Sequence, residues 1–178
     1  NKEVGIVKDS PSIDNNGNCY FLSIKSTSQA DLGTTLSAYT QSGALLWERV
    51  VFADLWSEEM TGVAISRDGC LIFAAISYVE PNKYPYSLYC YNLNGDRLWK
   101  TDIEADIFNA PPLLTADGLI FLASTLRTGG KVYTFSKDGE LLWSSLIEGA
   151  VDCSMAQLAF GSIVLGTHGL SSFLYLLK

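Results

Sequence analysis

Few residues of this chain could carry out catalysis. The only histidine, His168, lies between Thr167 and Gly169, and a Ser/His/Asp arrangement would have to use it. There is no Gly-x-Ser-x-Gly motif for a nucleophilic serine and no Gly-x-Gly-x-x-Gly loop for a phosphate. Because a lone histidine in a glycine-flanked loop usually faces solvent, we predict no catalytic residue.

Three alternating carboxylates are the first candidates for a metal site. Asp102, Glu104 and Asp106 would point to one face of a strand, where they could hold Ca²⁺. A charged row on an outer strand more often prevents edge-to-edge pairing, and we favour this second hypothesis. The segment 14–17, Asp-Asn-Asn-Gly, resembles the start of a Ca²⁺ loop. The segment lacks the glycine at the sixth position and the terminal glutamate of such a loop. We therefore predict a hairpin turn here.

The four cysteines, Cys19, Cys70, Cys90 and Cys153, form no C-x-x-C pair. We therefore predict no zinc site and interpret them as small apolar residues buried in strands. A cysteine pair that bridges two strands is the alternative.

Composition excludes several classes of protein. The 178 residues are 48% hydrophobic and 17% charged, which is incompatible with intrinsic disorder. The net charge of −7 and the lack of a basic run argue against nucleic acid as a partner. No apolar stretch approaches the roughly 18–20 residues of a membrane span.

An internal repeat indicates how the chain is organised. Residues 36–47, 88–99 and 132–143 each contain an aromatic strand, a polar turn with a glycine and, four residues after that glycine, a tryptophan. The glycines are Gly43, Gly95 and Gly139, and the tryptophans are Trp47, Trp99 and Trp143. These tryptophans recur at intervals of 52 and 44 residues, which is close to the roughly 40–50 residues typical of one blade of a β-propeller.

A turn and a strand precede each of these segments, with Asn-Gly or Asp-Gly at Gly17, Gly69 and Gly118. A fourth, weaker copy begins at Gly161 and ends without a tryptophan. We predict an all-β, single-domain propeller of four four-stranded blade repeats, over residues 11–52, 61–103, 111–147 and 151–178.

The repeat resembles the tryptophan-docking motif of pyrroloquinoline-quinone (PQQ)-like β-propellers, in which Ala-x-Asp and then Gly-x-x-x-Trp end each blade. The matching residues are Ala38, Gly43 and Trp47, then Gly95 and Trp99, then Gly139 and Trp143. Thr40, Asn92 and Ser136 stand where the motif has Asp, and the turn is one residue shorter.

With these departures, the sequence resembles the non-enzymatic branch of the family more than the quinone dehydrogenases. That branch includes periplasmic assembly-scaffold lipoproteins. The resemblance implies a non-catalytic binding or scaffold domain, no cofactor and a periplasmic or secreted location. The alternatives are that the chain is part of a quinone-dependent oxidoreductase, which would use PQQ and Ca²⁺, or part of another larger extracytoplasmic propeller enzyme whose chemistry lies elsewhere. The dehydrogenases use an adjacent Cys-Cys pair, and no two cysteines are neighbours here.

Two interpretations of the chain ends stay open. In the first, residues 1–8 complete the last blade as its outer strand and close a four-blade ring. In the second, the chain is part of a larger propeller or a half-ring that pairs with a second copy.

The loops expected to share one rim contain aromatic residues outside the repeat. Trp56 lies in one of these loops, and Tyr78, Tyr84 and Tyr86 lie in a Tyr- and Pro-rich insertion. Exposed aromatic rings suit recognition of a protein segment or a glycan, so we predict these four as binding residues. The alternative is that they pack the loops onto the sheets.

Overall fold

Strands and tight turns make up the described part of this protein. The computed structural model describes residues 5–7, 9–26, 32–52, 60–76, 86–103, 108, 110–126, 129–169 and 172–177. Within these ranges, 16 strands form four antiparallel sheets, and one short 3₁₀ turn at Ala159–Gly161 is the only helical element. The predicted all-β class is confirmed.

The sheets follow one another along the chain. The first contains β1 (Ile6–Val7), β2 (Ser12–Ile13), β3 (Cys19–Ser26), β4 (Leu32–Tyr39) and β5 (Leu45–Phe52). The second contains β6 (Ala64–Ile65), β7 (Cys70–Ile76), β8 (Tyr86–Asn92) and β9 (Arg97–Ile103). The third contains β10 (Leu113–Leu114), β11 (Ile120–Leu126), β12 (Gly129–Phe135) and β13 (Leu141–Ile147). The fourth contains β14 (Ala156–Gln157), β15 (Ile163–Gly166) and β16 (Leu174–Leu177).

Each sheet is an antiparallel meander in which consecutive strands pair. The first sheet has an additional strand, because β1 pairs with β3 on the same side as β2, with Ile6 opposite Ile24 and Val7 opposite Ser23. The interpretation that residues 1–8 form the outer strand of the last sheet is therefore wrong for Ile6 and Val7. Their backbone instead pairs with the part of β3 that the two-residue strand β2 leaves uncovered.

Seven tight turns connect strands within the sheets, and all have the same hydrogen bonds. In the turn from β4 to β5, Gly43 N–H donates to Thr40 O at 2.9 Å and Thr40 N–H donates to Ala44 O at 2.8 Å. The glycines before Trp47, Trp99 and Trp143 have φ values of +82° to +83°, a region that favours glycine.

A polar side chain opens six of the seven turns and accepts a hydrogen bond from the amide four residues later. Thr40 Oγ1 accepts from Ala44 N at 3.0 Å, Asn92 Oδ1 from Asp96 N at 2.9 Å, and Ser136 Oγ from Glu140 N at 3.2 Å. Thr40, Asn92 and Ser136 thus hold together the turns that precede Trp47, Trp99 and Trp143. Leu158 opens the seventh turn and has no side-chain acceptor to offer.

Three apolar clusters fill the spaces between successive sheets. The first lies between sheets one and two, around Leu36 and Phe73, and the second lies between sheets two and three, around Leu88 and Phe108. The third joins sheets three and four around Val132 and Val151. Because sheets cover both faces of β8, its residues from Tyr86 to Tyr91 are all buried.

The two-residue strands at the edges of successive sheets also touch, β2 against β6 and β6 against β10. Strand pairings within the described ranges do not join the fourth sheet to the first, so no closed ring is formed through them. Nor does this part of the chain contain a helix long and apolar enough to cross a bilayer.

Candidate binding surfaces

Trp47 connects the first sheet to the second. Its indole N–H donates to the backbone carbonyl of Leu93 at 2.8 Å, in the turn between β8 and β9. Gly95 lies under the ring, and a β-carbon there would be 2.9 Å from Trp47 Cδ2 and Cε3. Arg49 adds a hydrogen bond to Gly95 O at 3.1 Å, so the outer strand β5 is fixed to the next turn at two points.

Trp99 repeats this arrangement between the second and third sheets. Its indole N–H donates to Lys137 O at 3.1 Å, and a β-carbon on Gly139 would be 2.7 Å from Trp99 Cε3. Thr101 takes the place of Arg49 and donates to Gly139 O at 2.7 Å. In both cases, the carbonyl that binds the indole belongs to the residue two positions before the glycine.

Trp143 has a different environment. Its ring meets Phe121 edge-on at a centroid distance of 6.3 Å, and 40% of the residue remains exposed. Its indole nitrogen has no hydrogen-bond partner among the residues described. A β-carbon on Gly43, the first glycine of the repeat, would meet no atom within 4 Å. Among the described residues, Gly43 and Trp143 therefore lack the contact that Gly95 makes with Trp47 and Gly139 makes with Trp99.

A rim of loops forms where connections from the third and fourth sheets meet. Thr125 Oγ1, at the end of β11, accepts a hydrogen bond from Val151 N at 3.0 Å. His168 pairs with Ala150 in an isolated β-bridge, and its imidazole contacts the Asp152 carboxylate. The side chains of His168 and Asp152 are 61% and 43% exposed, so they form a polar pair on the surface, and the expected solvent-facing histidine is confirmed.

Tyr86 is the one predicted aromatic binding residue that can be placed. It starts β8, is 1% exposed and packs edge-on against Phe108 at 4.9 Å between ring centroids. The ring thus lies in the core between sheets two and three, and the expectation of an exposed ring is wrong for Tyr86. Trp56, Tyr78 and Tyr84 lie outside the described residues.

The predicted acidic row can be placed only in part. Asp102 lies on the outer strand β9, accepts a hydrogen bond from Ser87 Oγ at 2.7 Å and pairs with Lys100 at 2.9 Å. Glu104 and Asp106 lie outside the described residues, so the Ca²⁺ hypothesis and the edge-guard hypothesis both stay predictions. In the part of the chain that is placed, no three His, Cys, Asp or Glu side chains are grouped to hold a metal ion.

Asp14 opens the first hairpin turn, as expected. Its carboxylate accepts hydrogen bonds from the amides of Asn16 and Asn18 and from the Tyr20 hydroxyl. Burial raises the pKa of Asp14, but the hydrogen bonds from Asn18, Tyr20 and Asn16 together outweigh it, so the pKa lies below its usual 3.8. Burial and the nearby carboxylate raise the pKa of Tyr20 to about 12.

All four cysteines are free thiols. Cys19, Cys70 and Cys90 lie in strands, and Cys90 is buried in the core, where burial and the neighbouring Cys70 raise the pKa of its thiol. Cys153 is exposed in the connection between β13 and β14, and its thiol donates to Gly166 O at 3.2 Å. The prediction of a buried strand residue is therefore confirmed for Cys90, holds only in part for the half-buried Cys19 and Cys70, and is wrong for Cys153.

A shallow cavity of about 250 Å³ lies at the opposite end of the sheets from the rim, between the turns that begin at Ser66 and Thr115. Its lining contains the charged residues Arg67, Asp68, Asp117 and Lys137. Two positive and two negative groups balance there, so the cavity offers no net charge to select an ion.

Comparison with known proteins yields no family model that matches this chain and no significantly similar curated protein.

Proposed function

We propose that the four sheets are blades of a β-propeller-type domain similar to the PQQ-like group, and that the domain binds a partner without catalysis. Three observations support the blade arrangement. The sheets follow in chain order, their two-residue edge strands touch in succession, and Trp47 and Trp99 each bind the turn of the next sheet. Neighbour-to-neighbour contacts of this kind are typical of radially repeated sheets.

The proposed binding surface is the loop rim, and the proposed ligand is a segment of another protein. The observation that carries this proposal is the exposed pair of His168 and Asp152, where loops of two sheets meet. Backbone pairing at Ala150 and the Thr125 hydrogen bond hold these loops in place. A fixed acceptor beside an imidazole suits directional hydrogen bonds to a peptide backbone or side chain, and exposed groups require little desolvation.

Aromatic residues of the same rim would supply apolar contact area. We include Trp56, Tyr78 and Tyr84 because the sequence assigns them to loops of this rim. Tyr86 is left out, because its ring packs on Phe108 within the core.

An array of immobilised peptides tests this function, with a glycan array as the parallel probe. We expect peptides to bind the intact protein, and we expect the triple variant Trp56→Ala/Tyr78→Ala/Tyr84→Ala and the double variant Asp152→Asn/His168→Gln each to weaken binding at least tenfold. The matched control is Asp138→Asn, in an exposed turn at the other end of the sheets, which should bind normally.

Binding to glycans but not to peptides would overturn the assignment of the ligand. Unchanged peptide binding by both rim variants, with unchanged melting temperatures, would overturn the assignment of the surface. Addition of PQQ with Ca²⁺ is expected to produce no saturable spectral change. Such a change would contradict a non-catalytic role and favour the oxidoreductase alternative.

A further inference from the structure

Two of the four free thiols are neighbours in the second sheet. Cys70 begins β7 and Cys90 lies in β8, and these two strands pair in the middle of the sheet. Cys70 lies opposite Asn92 and Cys90 lies opposite Ile72, so the cysteines are diagonal neighbours across the strand pair. Positions related in this way point to the same face of a sheet. Both thiols therefore belong to the apolar cluster between sheets two and three.

The two thiols interact with each other. The side chains of Cys90 and Cys70 are joined by a hydrogen bond, and burial together with this neighbour raises the pKa of the Cys90 thiol. Diagonal neighbours have Cα atoms roughly 7–8 Å apart, whereas a disulfide usually spans about 4.4–6.8 Å. A disulfide between Cys70 and Cys90 thus requires a small shift of the strands, and a strained disulfide is readily reduced.

Only one thiol of this pair can be reached from solvent. Cys70 is half-buried and lines the cavity of about 250 Å³ at the opposite end of the sheets from the rim. Cys90 is 1% exposed. Because thiol–disulfide exchange requires access to the attacking sulfur, a reagent in the cavity meets Cys70 first.

The charges around the cavity indicate what kind of reagent fits. A lining with equal numbers of positive and negative groups does not select a simple ion, but it suits a small peptide that carries both charges itself. An ammonium group can pair with the carboxylates of the lining, and carboxylates can pair with its cations. The charged lining residues are Arg67, Asp68, Asp117 and Lys137.

We propose that Cys70 and Cys90 form a thiol–disulfide exchange site that a small zwitterionic peptide disulfide oxidises to a reversible Cys70–Cys90 bond. The sulfur of Cys70 attacks one sulfur of the peptide disulfide and breaks its S–S bond, and the first peptide thiol leaves with the proton from Cys70. The sulfur of Cys90 then attacks Cys70 in this mixed disulfide, and the second peptide thiol leaves with the proton from Cys90. The protein loses two electrons and the peptide disulfide gains them.

Oxidised glutathione is the probe, added to the reduced, intact protein. After free thiols are alkylated, trypsin digestion without reduction places the two cysteines in separate peptides, 68–83 and 84–97. We expect mass spectrometry to find these two peptides linked, at least tenfold more abundantly than any other pair of cysteine peptides. An excess of reduced glutathione should remove the link.

Variants assign the order of the two steps. Cys90→Ala should stop the reaction at a glutathione on Cys70, and Cys70→Ala should leave Cys90 unmodified. Cys19→Ala, which removes a half-buried strand cysteine of the first sheet, is the matched control and should form the link normally. The exposed Cys153 should take up glutathione in every variant, which shows that the reagent is active. Circular dichroism melts identify variants that do not fold, and Cys90→Val replaces Cys90→Ala if the smaller side chain destabilises the core.

Three results would overturn the proposal. The first is the absence of linked peptides 68–83 and 84–97 while Cys153 carries glutathione. The second is a link that forms only at urea concentrations that unfold the protein, since the folded arrangement would then play no part. The third is an unmodified Cys70 in the folded Cys90→Ala or Cys90→Val variant, which would contradict attack through the cavity.

Discussion

The aromatic ring of Trp47 occupies the space that a side chain on Gly95 would need. A β-carbon built on Gly95 would lie 2.9 Å from two atoms of the indole, although the two residues belong to different sheets. The glycine therefore serves two purposes, since it allows a positive φ in its own turn and it leaves room for the tryptophan of the preceding sheet.

Alanine substitutions can separate these two purposes. Gly43 and Gly95 have nearly the same φ, +82° and +83°, but a β-carbon on Gly43 would have no neighbouring atom within 4 Å. Gly43→Ala should lower the free energy of unfolding by about 1 kcal/mol from backbone strain alone. Gly95→Ala should lower it by about 1–3 kcal/mol more, because the indole must move. Urea unfolding of both variants measures the difference, and equal losses would contradict the steric role of Gly95.

The three repeated tryptophans should differ in their contribution to stability. Trp99→Ala removes a half-buried ring and a hydrogen bond to Lys137, and we expect a loss of about 3–5 kcal/mol. Trp143→Ala removes a ring that is 40% exposed and has no such bond in the described chain, so we expect a loss of roughly 1–2 kcal/mol. Chemical denaturation measures the loss of unfolding free energy in each variant. A larger loss for Trp143→Ala than for Trp99→Ala would show that the indole contacts do not determine these losses.

The turn that begins at Leu158 can be improved. Its six counterparts begin with Asp, Asn, Ser or Thr, whose side-chain oxygen accepts a hydrogen bond from the amide four residues later. Leu158 cannot do so, and it is 46% exposed. We expect Leu158→Asn to raise the free energy of unfolding by about 0.5–1.5 kcal/mol, the usual net value of one hydrogen bond. Asn92→Leu, the reverse change in an equivalent turn, should lower it, and an increase in the melting temperature of that variant would refute the role of the side-chain acceptor.

The pair of Asp14 and Tyr20 should make stability depend on pH at both extremes. The lowered pKa of folded Asp14 stabilises the protein above pH 3.8, and this contribution disappears as the pH falls through the folded value. The raised pKa of folded Tyr20 stabilises the protein below the unfolded value near 10, and this contribution disappears as the pH rises towards 12.

Urea midpoints measured across both pH ranges test this linkage. Asp14→Asn should reduce the slope on the acid side, and Tyr20→Phe should reduce it on the alkaline side. Each variant also loses the hydrogen bond between the two side chains, so the slope and not the absolute midpoint is the quantity to compare. Parallel curves for the wild type and both variants would show that other titratable groups determine how stability depends on pH.

Local signals in the sequence were sufficient to predict the all-β class and the approximate strands. The reason is that glycine turns and alternating aromatic residues act within a few positions of one another. The spacing of the tryptophans predicted the repeat of the sheets, but not the partners of the indoles. Leu93 and Lys137 bind the indoles through backbone carbonyls, which no side-chain pattern can identify.

The errors concern positions where the fold decides between burial and exposure. Tyr86 lies next to a Pro- and Tyr-rich insertion, yet it is the first residue of a strand whose two faces are covered by neighbouring sheets. Cys153 looks like a core residue by type, but it falls in a connection. The residues that open the turns, such as Thr40 and Asn92, could have been recognised, because each stands three positions before its glycine and has a side-chain oxygen.

The direction of the indole contacts has a consequence for synthesis on the ribosome. Trp47 and Trp99 both reach forward, to carbonyls that are translated about 40 residues later. A nascent chain that has just completed its first outer strand must hold an uncovered indole until the following hairpin emerges from the exit tunnel. Folding that proceeds from the amino terminus thus leaves an unfinished contact at the growing end, and a ribosome that stalls after β5 or β9 leaves the indole of Trp47 or Trp99 uncovered.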